Sequence, residues 1–167
     1  SIALVAAGRP IAGVVHAPAL DETYAAAAQS GAALNGRPIL VSRRNQVDGA
    51  RIGGPRGLIQ AIERSAGLSL AIEPKIPSLA YRLALVASGA LDLAIASDKS
   101  HDWDIAAADL LIAEAGGALV DGSGRGLTYN HEETLRPSLF AAPRQLIGPL
   151  VAAADRTRAG RNLSSGA

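Results

Sequence analysis

The chain has 167 residues, of which 49% are hydrophobic but only 3% aromatic, and it contains no cysteine. That length suits one ordinary domain with a core of Ala, Leu, Ile and Val, and it excludes disulfides and thiolate metal sites. A net charge of +1 gives no electrostatic case for a nucleic acid polymer or an acidic membrane. No apolar run reaches the ~18 residues of a membrane span, and the first residues do not read as a signal peptide, so a cytoplasmic protein is expected.

In chain order, Ile2 to Ala6 reads as a strand, Gly8-Arg9-Pro10 as a turn and Ile11 to His16 as a second strand, together a hairpin over 1–18. Thr23 to Ala28 is a third strand, and Asn35-Gly36-Arg37-Pro38 a turn before the apolar run Ile39-Leu40-Val41. Strands joined by short turns up to residue 47 predict antiparallel sheet. Beyond it the pattern alternates. Arg51 to Gly53 is a strand, Leu58 to Ser65 a helix ending at Gly67, and Leu68 to Ile72 a strand. Ser78 caps a helix that stops at Gly89. Leu91 to Ala96 is a strand, Trp103 to Ala115 a helix, Ala118 to Val120 and Leu139 to Ala141 strands, and Gln145 to Arg156 the last helix. This alternation predicts a layered α/β fold. The expected organisation is an antiparallel-sheet region over 1–47, an α/β domain over 48–157 and a flexible tail over 158–167. Ser1 to Val5 reads as the interior of a strand with no turn before it, which leads us to expect further sequence upstream.

The helix from Trp103 carries the chemistry. Ile105, Ala108, Ile112 and Ala115 fall on one apolar stripe, and Asp102 or Ser100 can cap its start. Asp104 lies in the first turn, where free N–H groups and the helix dipole favour a carboxylate. Such a residue is either a simple first-turn acid or a hard-oxygen ligand for Mg²⁺. Gly116-Gly117 is a plain helix stop. Asp109 and Glu114 read as a solvated helix face. The Gly53–Gly57 loop, with Gly54 and Arg56, is a turn or an anion-holding loop. Lys99 reads as a solvated cation or a phosphate partner. His16, His101 and His131 show no metal-ligand spacing.

Trp103-Asp104-Ile105-Ala106-Ala107, then Glu114-Ala115-Gly116-Gly117, resembles the C-terminal signature of the inositol monophosphatase family. That family contains inositol phosphate phosphatases and 3'(2'),5'-bisphosphate nucleotidases. Gly13 to Pro18, Asp21 to Tyr24, Gly31 to Gly36, Leu83 to Gly89, Leu91-Asp92 and Leu139 to Ala142 resemble further family segments, so the likeness spans nearly all of 1–157. It implies an αβαβα sandwich, often assembled as a homodimer. The implied reaction is hydrolysis of a small-molecule phosphate monoester with two or three Mg²⁺ ions that activate water and stabilise the developing charge, inhibited by Li⁺. The resemblance makes Asp104 a metal ligand. It places substrate contacts near Gly54 and Arg56, at Ser78, and at Ser97 and Lys99. Ser97 stands near a position where inositol phosphatases tend to be acidic, and Lys99 is placed to meet the second phosphate of a bisphosphate nucleotide. The family's other ligands, an upstream Glu and an Asp-Pro-Ile/Leu-Asp-Gly-Thr segment, have no counterpart here. The 167 residues are therefore expected to be an incomplete part of an enzyme, with little or no turnover alone. The alternative is a non-catalytic module that binds a phosphorylated ligand or a partner.

Overall fold

The computed structural model describes the chain through Ser164, and its side chains through Thr157. Five strands form an antiparallel sheet in sequential order: β1 (Ile2–Ala6), β2 (Arg9–Ala17), β3 (Glu22–Ala27), β4 (Ala32–Leu34) and β5 (Arg37–Ile39). A second, mixed sheet has the order β10-β12-β8-β6-β7, with β6 (Arg51–Gly53), β7 (Ala71–Ile72), β8 (Leu93–Ala96), β10 (Gly117–Asp121) and β12 (Leu139–Pro143). Within it β6 runs parallel to β7 and β8, while β12 is antiparallel to β8 and β10. Two short strands, β9 (Ser100–His101) and β11 (Leu135–Arg136), pair separately. The helices are α1 (Arg56–Ala66), α2 (Leu79–Ala87), α3 (Asp102–Glu114) and α4 (Arg144–Ser164).

Alternation along the strands sorts these elements into layers. Ala94, Ala96, Leu139, Ala141 and Leu119 of the second sheet join one core with α2, α3 and Val15, Tyr24 and Ala26 of the first sheet. Leu93, Ile95, Phe140, Ala142 and Val120 face the other way and join Ile59 and Ile62 of α1 and Leu146 and Leu150 of α4 in a second core. The order is thus sheet, α2 with α3, sheet, α1 with α4. On the outer face of the first sheet Ile2, Leu4 and Val14 are exposed.

The expected stripe on α3 is an underestimate. Ile105 to Ala108 and Leu110 to Ile112 are all buried, so this helix is covered nearly all round, as a helix between two sheets must be. It fits because its neighbours are small. A Cβ on Gly13 would stand 2.9 Å from the Cα of Ala107, and one on Gly117 would stand 2.7 Å from Ile112 Cγ2. Glu22 ties the first sheet to α2, its Oε2 accepting from Tyr24 at 2.8 Å and Tyr81 at 2.9 Å.

Several elements differ from the sequence reading. The strand β4, Ala-rich and lying between turns, has no β-branched signal, and β9 and β11 are too short to show a period. Of the strand expected over 68–72, only Ala71–Ile72 pairs. The last helix continues to Ser164, past the expected start of a flexible tail; residues 165–167 lie outside the described residues. Among the described residues no helix is long and apolar enough to cross a membrane.

Gly13→Ala is expected to lower unfolding stability by about 1–3 kcal/mol, the range for overpacking a tight contact. Urea denaturation checks this, and an unchanged midpoint would show that the β2–α3 contact yields easily.

Candidate functional site

The start of α3 is built from backbone and side-chain restraints together. The His101 N–H donates to Asp104 Oδ2 at 3.0 Å, the carboxylate half of a capping box. His101, not Asp102 or Ser100, is therefore the capping position. The His101 ring stacks on Trp103 at 4.4 Å between centroids and 7° between planes. Its Nδ1 lies 3.2 Å from Thr134 Oγ1. Arg136 donates through Nε to Asp102 Oδ1 at 2.5 Å, and its Nη2 reaches the Thr128 carbonyl at 2.5 Å. In the β9–β11 pairing Leu135 lies opposite His101 and Arg136 opposite Ser100, so this segment braces the helix start from the side.

The start of α2 faces it. Ser78 caps α2, its Oγ accepting from the Tyr81 N–H at 3.2 Å. One turn later comes Arg82. Its Nη1 donates to the Ile76 carbonyl at 2.8 Å and Nη2 to the Ile95 carbonyl at 3.4 Å, while Nε is buried without a partner. Burial holds its pKa below the ordinary arginine value. Among the described residues no carboxylate pairs with it. A half-buried guanidinium in this state is costly, and an anionic ligand offsets that cost.

Ser78, Arg82, Ser97, Lys99, Trp103 and Asp104 line one cavity of about 550 Å³. Four of the six positions expected from sequence thus come together, with Asp104 as the sole carboxylate among the described residues that line the cavity. The other two do not. Gly54 packs against Ile95, where an added Cβ would meet the Ile95 carbonyl at 2.9 Å. Arg56 is exposed at the first residue of α1. Their loop, through Pro55 and Gly57, borders a different cavity of about 680 Å³ that shares Ser97. Arg82 was missed because a helix arginine reads as a surface cation. The available signal was its position four residues after Ser78, inside an otherwise apolar helix.

Asp109 and Glu114 are not a solvated face. The Glu114 carboxylate accepts from the N–H groups of Gln29 and Gly31, each at 2.9 Å, and pins the β3–β4 turn to the end of α3. Asp109 accepts from Tyr129 Oη at 2.7 Å. Burial pushes its pKa up to about 6, against the opposing pull of Tyr129, Arg9 and Arg136. Both acids border a third cavity of about 530 Å³, together with Arg9 and Arg144.

The profile of the Inositol monophosphatase family matches residues 1–157. The chain belongs to the inositol monophosphatase family. It is 35% identical over 133 residues to Inositol monophosphatase 2 of Solanum lycopersicum, covering 74% of this chain and 50% of that protein. It is 34% identical over 153 residues to the 3'(2'),5'-bisphosphate nucleotidase CysQ of Aggregatibacter actinomycetemcomitans, covering 88% and 55%. Among solved structures, the IMPase of Thermotoga maritima superposes with a TM-score of 0.78 at 28% identity, over 95% of this chain and 61% of that one. The extragenic suppressor protein SuhB of Bartonella henselae gives a TM-score of 0.76 at 28% identity, over 92% and 62%. The chain spans about half the length of the curated relatives it matches. Membership carries the expectation of metal dependence, and the donors present meet it only in part. Among the described residues no three His, Asp or Glu side chains converge, and one carboxylate is too few for a Mg²⁺ site of several ions.

Between about pH 4 and 6 the folded chain keeps a proton on Asp109 that the unfolded chain has released, so stability from this group falls as pH rises through that window. Asp109→Asn is expected to flatten that fall. Denaturation midpoints across the window check it, and an equal slope in both proteins would contradict it.

Proposed function

We propose that these residues form one wall of the site of a Mg²⁺-dependent phosphomonoesterase. Its substrate is a small molecule, a 3'(2'),5'-bisphosphate nucleotide or an inositol phosphate. The observation that carries this reading is the meeting of Asp104 with Arg82, Lys99, Ser78 and Ser97 around one cavity. Asp104 is one arm of the metal site, and a site of several Mg²⁺ ions requires carboxylates beyond this one. Arg82 and Lys99, the cations that line the cavity, bind and orient phosphate oxygens. Ser78 and Ser97 offer hydroxyl groups at the rim. The absence of an acid at Ser97 removes an acceptor for sugar hydroxyls and favours the bisphosphate nucleotide of the two substrates.

A second reading is a module that binds phosphorylated ligands without turning them over. The same uncompensated Arg82, beside a single carboxylate, supports it.

Phosphate release separates the two. A longer protein carrying these residues is expected to hydrolyse the substrate with Mg²⁺, to be inhibited by Li⁺, and to lose at least about a hundredfold in rate with Asp104→Asn. The 167-residue chain alone is expected to release no phosphate above background. Turnover that survives Asp104→Asn would overturn the assignment; a longer protein that binds the ester but never hydrolyses it would establish the module instead.

A further inference from the structure

Among the described residues, Asp104 is directed by one hydrogen bond, from the His101 N–H to Oδ2 at 3.0 Å. Its direction therefore depends on where the His101 peptide stands. That peptide belongs to β9, which is two residues long and pairs with β11 alone. A pair of strands this short does not hold itself in place. The Arg136 side chain of β11 holds it. Its guanidinium meets three groups at once: Asp102 Oδ1 through Nε at 2.5 Å, the Thr128 carbonyl through Nη2 at 2.5 Å, and the Tyr129 ring at 5.4 Å from the centroid. Thr134 of the same segment holds the His101 ring, 3.2 Å from Nδ1. The Arg136 and Asp102 side chains are only 12% and 14% exposed, so their contact lies inside the chain. Tyr129 is fixed in turn by its hydroxyl on Asp109, about two turns along α3 from Asp102. One side chain thus ties the start of α3 to its middle. Asp102 Oδ2 is buried without a partner among the described residues, which leaves Arg136 as the group that compensates this carboxylate.

We infer that Arg136 is the positioning residue of the site: it fixes the Ser100–His101 backbone and, through the His101 N–H, the direction of the Asp104 carboxylate. The inference rests on the reading of Asp104 as one arm of the metal site. Arg136 does not line the Asp104 cavity and acts only through Asp102 and His101. The role calls for arginine, because a planar fork meets a carboxylate, a carbonyl and a ring face together, whereas a lysine ammonium presents a point charge.

Amide hydrogen exchange on the 167-residue chain reads the His101–Asp104 bond itself. In Arg136→Ala the His101 N–H is expected to exchange at least about tenfold faster, the scale of one hydrogen bond to a charged group. The Ile112 N–H, in the buried part of the same helix, is expected to change far less. Scalar couplings are expected to show Asp104 χ1 passing from one rotamer to an average. Arg136→Lys, which keeps the charge, is expected to show the same His101-specific change at smaller size, and it decides by the same readings if Arg136→Ala does not fold. His101 protection that is unchanged, or that is lost in equal proportion at Ile112, overturns the inference, the latter because Arg136 would then serve overall stability alone. In a longer protein that hydrolyses the ester, Arg136→Ala is expected to lower kcat by about tenfold, the scale of losses when the support of a metal ligand is removed, with KM for the ester little changed. An unchanged kcat overturns the inference and leaves the metal reading of Asp104 standing. A rate that survives Asp104→Asn overturns that reading, while the exchange result, a property of the folded chain, stands.

Discussion

At Gly13 the backbone of β2 lies against the backbone of α3, with no room for even one carbon between that glycine and Ala107. This contact decides how closely the first sheet can approach the central helix. Asp104 stands three residues before Ala107, a little less than one turn towards the helix start, so the packing that seats Ala107 also sets where the carboxylate emerges. A larger residue at either position would push the sheet and the helix apart and move Asp104 relative to α2. The run Ala106-Ala107-Ala108 has the same cause, since small side chains let a helix be buried on every side.

The chemistry sits where that burial ends. Asp104 leaves the core at the positive end of α3 and is oriented by the His101 N–H, while Asp102 beside it is held by Arg136. Across the cavity Arg82 rises from α2 with carbonyl partners for two of its nitrogens and none for the third. The site therefore combines a carboxylate held through one oxygen with a cation held by two carbonyls, and beside it Asp102 Oδ2, like Arg82 Nε, is buried without a partner among the described residues.

Much of this was legible in the residues. Ser78 with Gly89 framed α2, Gly67 ended α1, and the run from Trp103 to Gly117 gave α3 together with its carboxylate and its family. What stayed hidden depends on partners distant in sequence. Asp109 and Glu114 look like solvent-facing acids until Tyr129 and the Gln29–Gly31 turn arrive to cover them. The short strands β9 and β11 have no pattern of their own and exist because the segment around Arg136 packs onto the helix start. Arg82 resembles a surface cation, and Gly54 and Arg56 resemble an anion loop, until the folded chain places the first in the Asp104 cavity and the second pair outside it.

The central claim is that the cavity between the starts of α2 and α3 receives the phosphate. It is most directly tested by ¹H–¹⁵N chemical-shift mapping of the 167-residue chain during titration with inorganic phosphate, with the Arg82 Nε–H signal included. The account predicts the largest shifts at Arg82 Nε, at Ser78 and across Ser97 to Asp104. Shifts centred instead on Gly54 to Gly57, or on Arg9 and Arg144, would contradict it.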